Sequence, residues 1–206
     1  MGIWEMTAAE RASLADALAA LAAEDWDKSS WCATWTVRDV AGHICAAAYE
    51  TKLGFFGHLA GAGFNFDKFT DKGVQRMTAG KSDKEIVESL RARISTRNSP
   101  PGPTPTWLGE VVIHGQDIFR PLGITHEVQV DHAVAVADFY KNSNLVVGAK
   151  KRIAGVTLKA TDADWTNGSG PEVRGPVLSL VMTMTGRRQA LGDLAGDGLT
   201  ELSGRF

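Results

Sequence analysis

Three side chains that can bind a metal ion or move a proton lie close together in the segment WLGEVVIHGQDIFRPLG, residues 107–123. Glu110, His114 and Asp117 follow one another at spacings of four and three residues. Because an α-helix turns once in about 3.6 residues, this spacing places the three side chains on one stripe. A carboxylate and an imidazole one turn apart can share a divalent ion, and a further carboxylate can orient a ligand or accept a proton.

The segment itself predicts a single helix of about four turns. Thr106 can cap its start, and Pro121 and Gly123 can end it. Its apolar side chains are those of Val111, Val112, Ile113, Ile118 and Phe119. Two interpretations of the polar stripe are open at this point: a solvent-exposed pair with i, i+4 spacing, or an inward-facing pair of metal ligands.

A further candidate ligand, His43, lies on a different predicted helix. Residues 36–39, Thr-Val-Arg-Asp, have the form of a capping box, and the helix that they open extends to about residue 59. His43 falls on the apolar face of that helix and is predicted to point inward. One inward histidine is usually a hydrogen-bonded core residue. Together with Glu110 and His114, however, it completes a set of two imidazoles and one carboxylate, which suits zinc and leaves positions for water or substrate.

The remaining elements predict a mainly α protein. Capping boxes at residues 7–10 and 82–85 open two more amphipathic helices. The predicted helices span residues 7–25, 36–59, 82–94, 107–123 and 131–142. A loose connection is expected at 61–80. The proline-rich connection at 98–106 is either a linker or a wall of the pocket that holds the candidate site. After about residue 150 the pattern changes to short alternating and turn-rich segments. We therefore predict a helical bundle in residues 1–150 and a small α+β domain in residues 151–206.

Composition narrows the classes of partner. The chain has 206 residues, of which 44% are hydrophobic and 22% charged, and its formal net charge is -2. This balance gives no reason to expect nucleic acid or an anionic membrane surface as a partner. The N-terminus has no basic leader followed by an apolar core, and no apolar stretch reaches the length of about 18 residues that a membrane span needs. The expected location is the cytoplasm.

The cysteines and the tryptophans of the first connection are predicted to be structural. Cys32 and Cys45 are too few for a disulfide framework and too far apart for a metal or redox motif. Cys45, two residues after His43, falls on another side of the same helix. The connection between the first two helices is rich in tryptophan, and its Trp26, Trp31 and Trp35 are expected to cover the end of the bundle.

Three segments together resemble the mycothiol-dependent maleylpyruvate isomerase family of actinobacteria, which is part of the DinB-like metalloenzyme superfamily. They are WTVRDVAGHICAAAYE at 35–50, GEVVIHGQDIFRPLG at 109–123, and the C-terminal stretch from 158 to 199. The resemblance implies a DinB-like four-helix bundle with a small C-terminal α+β domain. It also implies a zinc ion held by a histidine on the second helix and by a Glu-x-x-x-His pair on a later one.

The residues of this chain that match the family's motif are His43, Glu110 and His114 as metal ligands, and Asp117 as the essential aspartate three residues after the last ligand. The family's C-terminal domain also contributes an arginine that binds substrate carboxylates. In this chain the matching residue is Arg187, with Arg188 as the alternative.

The resemblance implies a zinc-dependent, mycothiol-using S-transferase or isomerase acting on a small electrophile such as maleylpyruvate, as a monomer or homodimer. In the reaction of that family, the thiol of mycothiol is held on the metal as a thiolate and adds to the unsaturated substrate. Two alternatives stay open. A DinB-like hydrolase would use metal-bound water in place of the thiol, and a non-catalytic binding module would keep the bundle without turnover.

Overall fold

The computed structural model describes residues 1–145 and 147–206. The chain forms two compact units, Met1–Glu127 and Val128–Phe206. The division therefore falls earlier in the chain than the boundary expected near residue 150. The helix predicted at 131–142 belongs to the second unit, because its principal packing partner is a helix from that unit.

The first unit is built from helices. Their bounds are α1 Ile3–Ala19, α2 Val37–Tyr49, α3 Lys52–Gly61, α4 Phe66–Thr78, α5 Asp83–Arg91 and α6 Pro105–Phe119. Helices α1, α2, α5 and α6 form a closed ring in which α1 packs on α5 and α6, and α2 packs on the same two helices. The predicted four-helix bundle and the mainly α class are thus confirmed, and α4 packs against the outside of α2.

Two predictions about the region between α2 and α5 were wrong. The single helix expected over 36–59 is broken after Tyr49, because Glu50 adopts an extended conformation and the Thr51 side chain accepts a hydrogen bond from the amide of Gly54, which starts α3. The loose connection expected at 61–80 contains α4, which the Asn65 side chain caps by accepting from the amide of Lys68. The large apolar residues of α4, Phe66, Phe69, Val74 and Met77, recur at helical spacing, a pattern that the prediction overlooked.

Helix α6 begins earlier than expected. Its N-cap is Thr104 and its first residue is Pro105, whose missing N–H costs nothing at that position. Thr106 was therefore wrongly predicted as the cap. Most of the helix is buried, since it lies between α1 and α2. Its buried residues are Trp107, Leu108, Gly109, Val111, Val112, Ile113, Gly115, Gln116, Asp117, Ile118 and Phe119.

An apolar core fills the ring of helices. Leu14, Ile44, Leu90 and Phe119, one from each helix of the bundle, are almost completely excluded from solvent. Burial of each side chain of this size contributes about 1.5–3 kcal/mol to the free energy of unfolding. The bundle is therefore stabilised by contacts that do not involve the polar stripe of α6.

The second unit has the predicted α+β character. Its strands are β1 Thr157–Ala160, β2 Thr166–Gly168 and β3 Glu172–Gly175, and its helices are α7 Val130–Tyr140, α8 Ala149–Arg152, α9 Val177–Met184 and α10 Leu199–Ser203. The sheet order is β2-β1-β3, with β1 antiparallel to β2 and parallel to β3. Helix α9 packs on the sheet and on α7. Among the described residues of both units, no helix combines the length and apolar character needed to cross a membrane.

Candidate metal centre

His43, Glu110 and His114 converge where α2 packs on α6. One ligand atom from each residue lies within 4.8 Å of the others. Glu110 Oε1 contacts His43 Nε2 and lies 3.7 Å from His114 Nε2. The two imidazole rings are 5.0 Å apart between centroids and nearly perpendicular. Two helices rather than a loop thus bring the three candidate donors together, on a stripe of α6 that faces α2.

The three donor side chains are partly accessible. Their side-chain exposures are 21% for His43, 19% for Glu110 and 15% for His114. A set of two imidazoles and one carboxylate matches the chemistry of open catalytic zinc sites, in which three protein ligands leave a further position for a small molecule. The residues present therefore fit a divalent ion.

Asp117 lies on the other side of His114. Its side chain has 0% exposure, and its Oδ2 accepts a hydrogen bond of 2.8 Å from His114 Nδ1. An ionised carboxylate only accepts, so this bond places the ring proton on Nδ1 and leaves the lone pair of Nε2 facing Glu110. A carboxylate that binds the second nitrogen of a metal-binding histidine in this way fixes the ring and makes it a better donor.

Cys32 also contacts this pair, which the sequence did not predict. Its Sγ lies 3.1 Å from Asp117 Oδ2 and 3.3 Å from His114 Nδ1. The thiol can donate to the carboxylate and so adds a second hydrogen bond to it. Cys32 was assigned no role from the sequence, because the two cysteines are too few for a disulfide framework and too far apart for a metal or redox motif. The one available signal was its position in the tryptophan-rich connection at the end of the bundle.

This connection, residues 26–36, is here called the Trp loop. It is closed by pairing of Ser29 with Thr36 and by hydrogen bonds from the amide of Ser30 to the carbonyl of Trp35 and from the amide of Trp35 to the carbonyl of Cys32. The Trp35 ring packs 5.1 Å from the ring of His43. The Trp loop therefore contacts both histidines of the candidate site, in addition to the core packing expected of its tryptophans.

Pro121 explains how the Trp loop is attached to α6. In an α-helix the carbonyl of Asp117 would accept from the N–H of residue 121, but proline has no N–H. The carbonyl instead accepts a hydrogen bond of 3.0 Å from the backbone amide of Trp31. The loop is therefore bonded to Asp117 twice, at the backbone by Trp31 and at the side chain by Cys32.

A second group of potential ligands shares one member with the first. Cys32, His114 and Asp117 also have ligand atoms within 4.8 Å of one another. Asp117 is fully buried, and the hydrogen bond between His114 Nδ1 and Asp117 uses the nitrogen that this group would offer to an ion. The more accessible group of His43, Glu110 and His114 is the better candidate for a site that must admit a substrate.

The other cysteine has a different environment. Cys45 is 1% exposed, and its thiol faces the carbonyl of Ile86 at 3.6 Å. Burial raises the pKa of the Cys45 thiol to about 12, so it stays protonated and unreactive at neutral pH. Cys45 belongs to the core.

Arg187 lies in the second unit, three residues after the end of α9. Its Nη1 donates to the carbonyl of Thr185 at 2.9 Å, while Arg188 is exposed. Burial, and then the neighbouring positive charge of Arg187, lower the pKa of the Arg152 guanidinium. Two guanidinium groups are thus close enough to interact in this unit.

Comparisons with known proteins find a sequence match in the first unit and a similar fold over nearly the whole chain. The family model of the mycothiol maleylpyruvate isomerase N-terminal domain matches residues 7–100, a range that includes most of α1, all of α2 and His43 but ends before α6. No curated protein sequence gives a significant match.

Two solved structures have a similar fold. A mycothiol-dependent maleylpyruvate isomerase superposes with a TM-score of 0.65, and a histidine-to-alanine mutant of an enzyme of that name with a TM-score of 0.59. Each is 12% identical in sequence, and each match covers 95% of this chain and 91% of the other. The chain thus resembles the mycothiol-dependent maleylpyruvate isomerase family, in sequence over the first five helices of the bundle unit and in fold over nearly its whole length.

Proposed function

We propose that the protein is a metal-dependent enzyme that uses mycothiol as a cosubstrate and acts as an S-transferase or isomerase on a small electrophile such as maleylpyruvate. The observation that carries the proposal is the convergence of His43, Glu110 and His114, with the second nitrogen of His114 bound to a buried carboxylate. The resemblance to enzymes of that name supplies the thiol and the substrate class.

The three proposed ligands are suited to zinc, which binds imidazole and carboxylate donors readily. A bound zinc ion lowers the pKa of a thiol, so that the thiolate is available near neutral pH. Among the three donors only the carboxylate of Glu110 can bring a negative charge to a bound ion, because imidazole binds a metal in its neutral form. The partial exposure of all three side chains allows a small thiol to approach them.

The proposed role of Asp117 is orientation. Its side chain has 0% exposure, and Oδ2 already accepts from His114 and Cys32. A proton acceptor for the substrate would need to reach the reacting atoms, whereas this carboxylate contacts the rear of a ligand. Asp117 therefore holds the Nδ1 proton of His114 and keeps Nε2 directed at Glu110.

Arg187 is proposed to bind a carboxylate of the substrate. This assignment comes from the resemblance, with Arg188 as the alternative. The nearby guanidinium of Arg152 supports it, because an anion bound beside two like charges reduces their repulsion. Replacement of Arg187 by methionine would therefore raise KM more than it lowers kcat.

Elemental analysis is the first test of this proposal. We expect about one equivalent of zinc in the wild-type protein and background amounts in His43→Ala and His114→Ala. His58→Ala is the matched control, because His58 pairs with Glu50 outside the candidate site, and it should keep the metal. Absence of bound metal after reconstitution would contradict the proposal. Turnover of an electrophile by the zinc protein without any added thiol would support a hydrolase instead.

A further inference from the structure

We propose that Cys32 is a positioning residue of the metal centre, which acts by holding the carboxylate of Asp117 against His114. This inference rests on the proposed function, since it concerns the residues behind a proposed metal ligand. It also assigns a role to the Trp loop. The candidate ligands lie on α2 and α6, and their spacing alone gives the loop no part in the site.

The geometry places the thiol at the hydrogen bond itself. Cys32 Sγ lies 3.1 Å from Asp117 Oδ2, the same oxygen that accepts from His114 Nδ1 at 2.8 Å. It also lies 3.3 Å from that nitrogen. The sulfur therefore contacts both atoms of the bond and covers it on the side of the Trp loop.

Because Asp117 is buried, its hydrogen bond from the Cys32 thiol stabilises the carboxylate more than it would at the surface. A carboxylate with 0% exposure is poorly solvated by water, so protein donors must compensate for the loss of hydration. The S–H group is a weak donor, but it is aimed at the oxygen that also binds the histidine. Removal of the thiol would leave the carboxylate with one donor fewer and with room to rotate.

The backbone of the Trp loop supports the same arrangement. The amide of Trp31 donates to the carbonyl of Asp117, which Pro121 leaves without its usual helical partner. Cys32 follows Trp31 directly, and its own amide donates to Ser30 Oγ at 3.0 Å. The carbonyl of Cys32 accepts from the amide of Trp35 at 2.8 Å, so hydrogen bonds before and after the thiol in the chain set its position.

The expected effect on metal binding is modest. Loss of a partner that orients a metal-binding histidine typically weakens metal affinity by about 10- to 100-fold. Cys32 acts one step further from the ion, through a single weak hydrogen bond, so Cys32→Ala should weaken zinc binding by about 2- to 10-fold. Cys32→Ser should recover most of this loss, because the hydroxyl keeps the donor.

The test measures zinc affinity by competition with a chromophoric chelator, and the visible spectrum of the cobalt(II) protein, for the wild type, Cys32→Ala and Cys32→Ser. Cys45→Ala is the matched control: it removes a cysteine from the core and should lower thermal stability without changing zinc affinity. The Cys32→Ala change should also have little further effect when Asp117 is already asparagine, since both act through one hydrogen bond.

Three results would overturn the proposal. Wild-type zinc affinity and an unchanged cobalt spectrum in Cys32→Ala would mean that the thiol only fills space. An intense thiolate-to-cobalt charge-transfer band in the wild type, lost in Cys32→Ala, would make Cys32 a ligand instead. Additive effects of Cys32→Ala and Asp117→Asn would show that the thiol does not act through the carboxylate. A wild-type protein that binds neither zinc nor cobalt would contradict the proposed function itself, and the role of Cys32 with it.

Discussion

The two nitrogens of His114 face two different environments. On the Nε2 side lie His43 and Glu110, whose side chains keep about a fifth of their surface exposed. On the Nδ1 side lie Asp117, with 0% exposure, and Cys32, which the Trp loop brings to it. The first side can admit a ligand, while the second excludes water from the hydrogen bond that orients the ring. The comparison teaches that a metal site needs both accessible donor atoms and buried hydrogen bonds that hold its ligands in place.

The largest effect on zinc binding and activity is expected from replacing His114, whose two nitrogens face the two sides of the site. His114→Ala should reduce bound zinc and thiol-dependent activity to background, because it removes one ligand and the partner of Asp117 at once. The bundle should remain folded, since its core does not include His114. Metal analysis and circular dichroism together check this result. Full zinc content in the variant would show that the imidazole is not a ligand.

Glu110→Gln tests the open side alone. The amide keeps the size of the side chain but removes the negative charge that balances a divalent ion, so zinc affinity should fall by more than the roughly 100-fold upper limit for an outer partner. The variant should fold with unchanged helix content. Chelator competition measures the zinc affinity. A loss of affinity smaller than that of Asp117→Asn would mean that the metal is bound mainly on the Nδ1 side of His114.

Asp117→Asn tests the closed side. The asparagine oxygen can still accept from Nδ1, but the buried negative charge is lost, so metal affinity or turnover should decrease by about 10- to 100-fold. Zinc stoichiometry at saturating metal should stay near one. If the variant instead lost zinc as completely as His114→Ala, Asp117 would be a ligand, and the metal would lie on the side of Cys32.

The smallest effect is expected at Pro121, which contacts neither nitrogen. In Pro121→Ala the new N–H can donate to the carbonyl of Asp117 and compete with the amide of Trp31. Amide hydrogen exchange at Trp31 should become faster, while zinc affinity changes by no more than the few-fold expected from the loss of one hydrogen bond. An unchanged exchange rate would show that the loop does not depend on the proline.

Sequence reasoning selected the residues of the open side and Asp117 of the closed side, but it did not select Cys32. His43 and Glu110 could be found because each lies on a helix with a clear apolar face, and helical spacing fixes where a side chain points. Cys32 could not be found, because it lies in a connection and reaches His114, 82 residues away in sequence, only through the tertiary fold. Its contact depends on the loop's own hydrogen bonds and on a missing donor at Pro121.

Two errors in the fold lie between α2 and α5. The four bundle helices α1, α2, α5 and α6 each bury apolar residues that recur at helical spacing, and their existence was predicted correctly. Helix α4 packs on the outside of α2 and buries only Gly73, Val74 and Met77, and it was missed although its large apolar residues also recur at helical spacing. The break between α2 and α3 depends on the extended conformation of Glu50, for which the sequence offers neither proline nor glycine as a signal.

The placement of the proposed ligands on α2 and α6 also has a consequence for folding. His43 and Glu110 are separated by 67 positions in the chain (110 − 43), so an ion held by both would close a long loop, much as a covalent cross-link does. Cross-links of this kind act chiefly by restricting the unfolded chain. During synthesis the site cannot form until α6 has emerged and joined the helices made before it. Metal capture would therefore take place only after the bundle is complete, and the loaded protein would have a larger free energy of unfolding than the metal-free one.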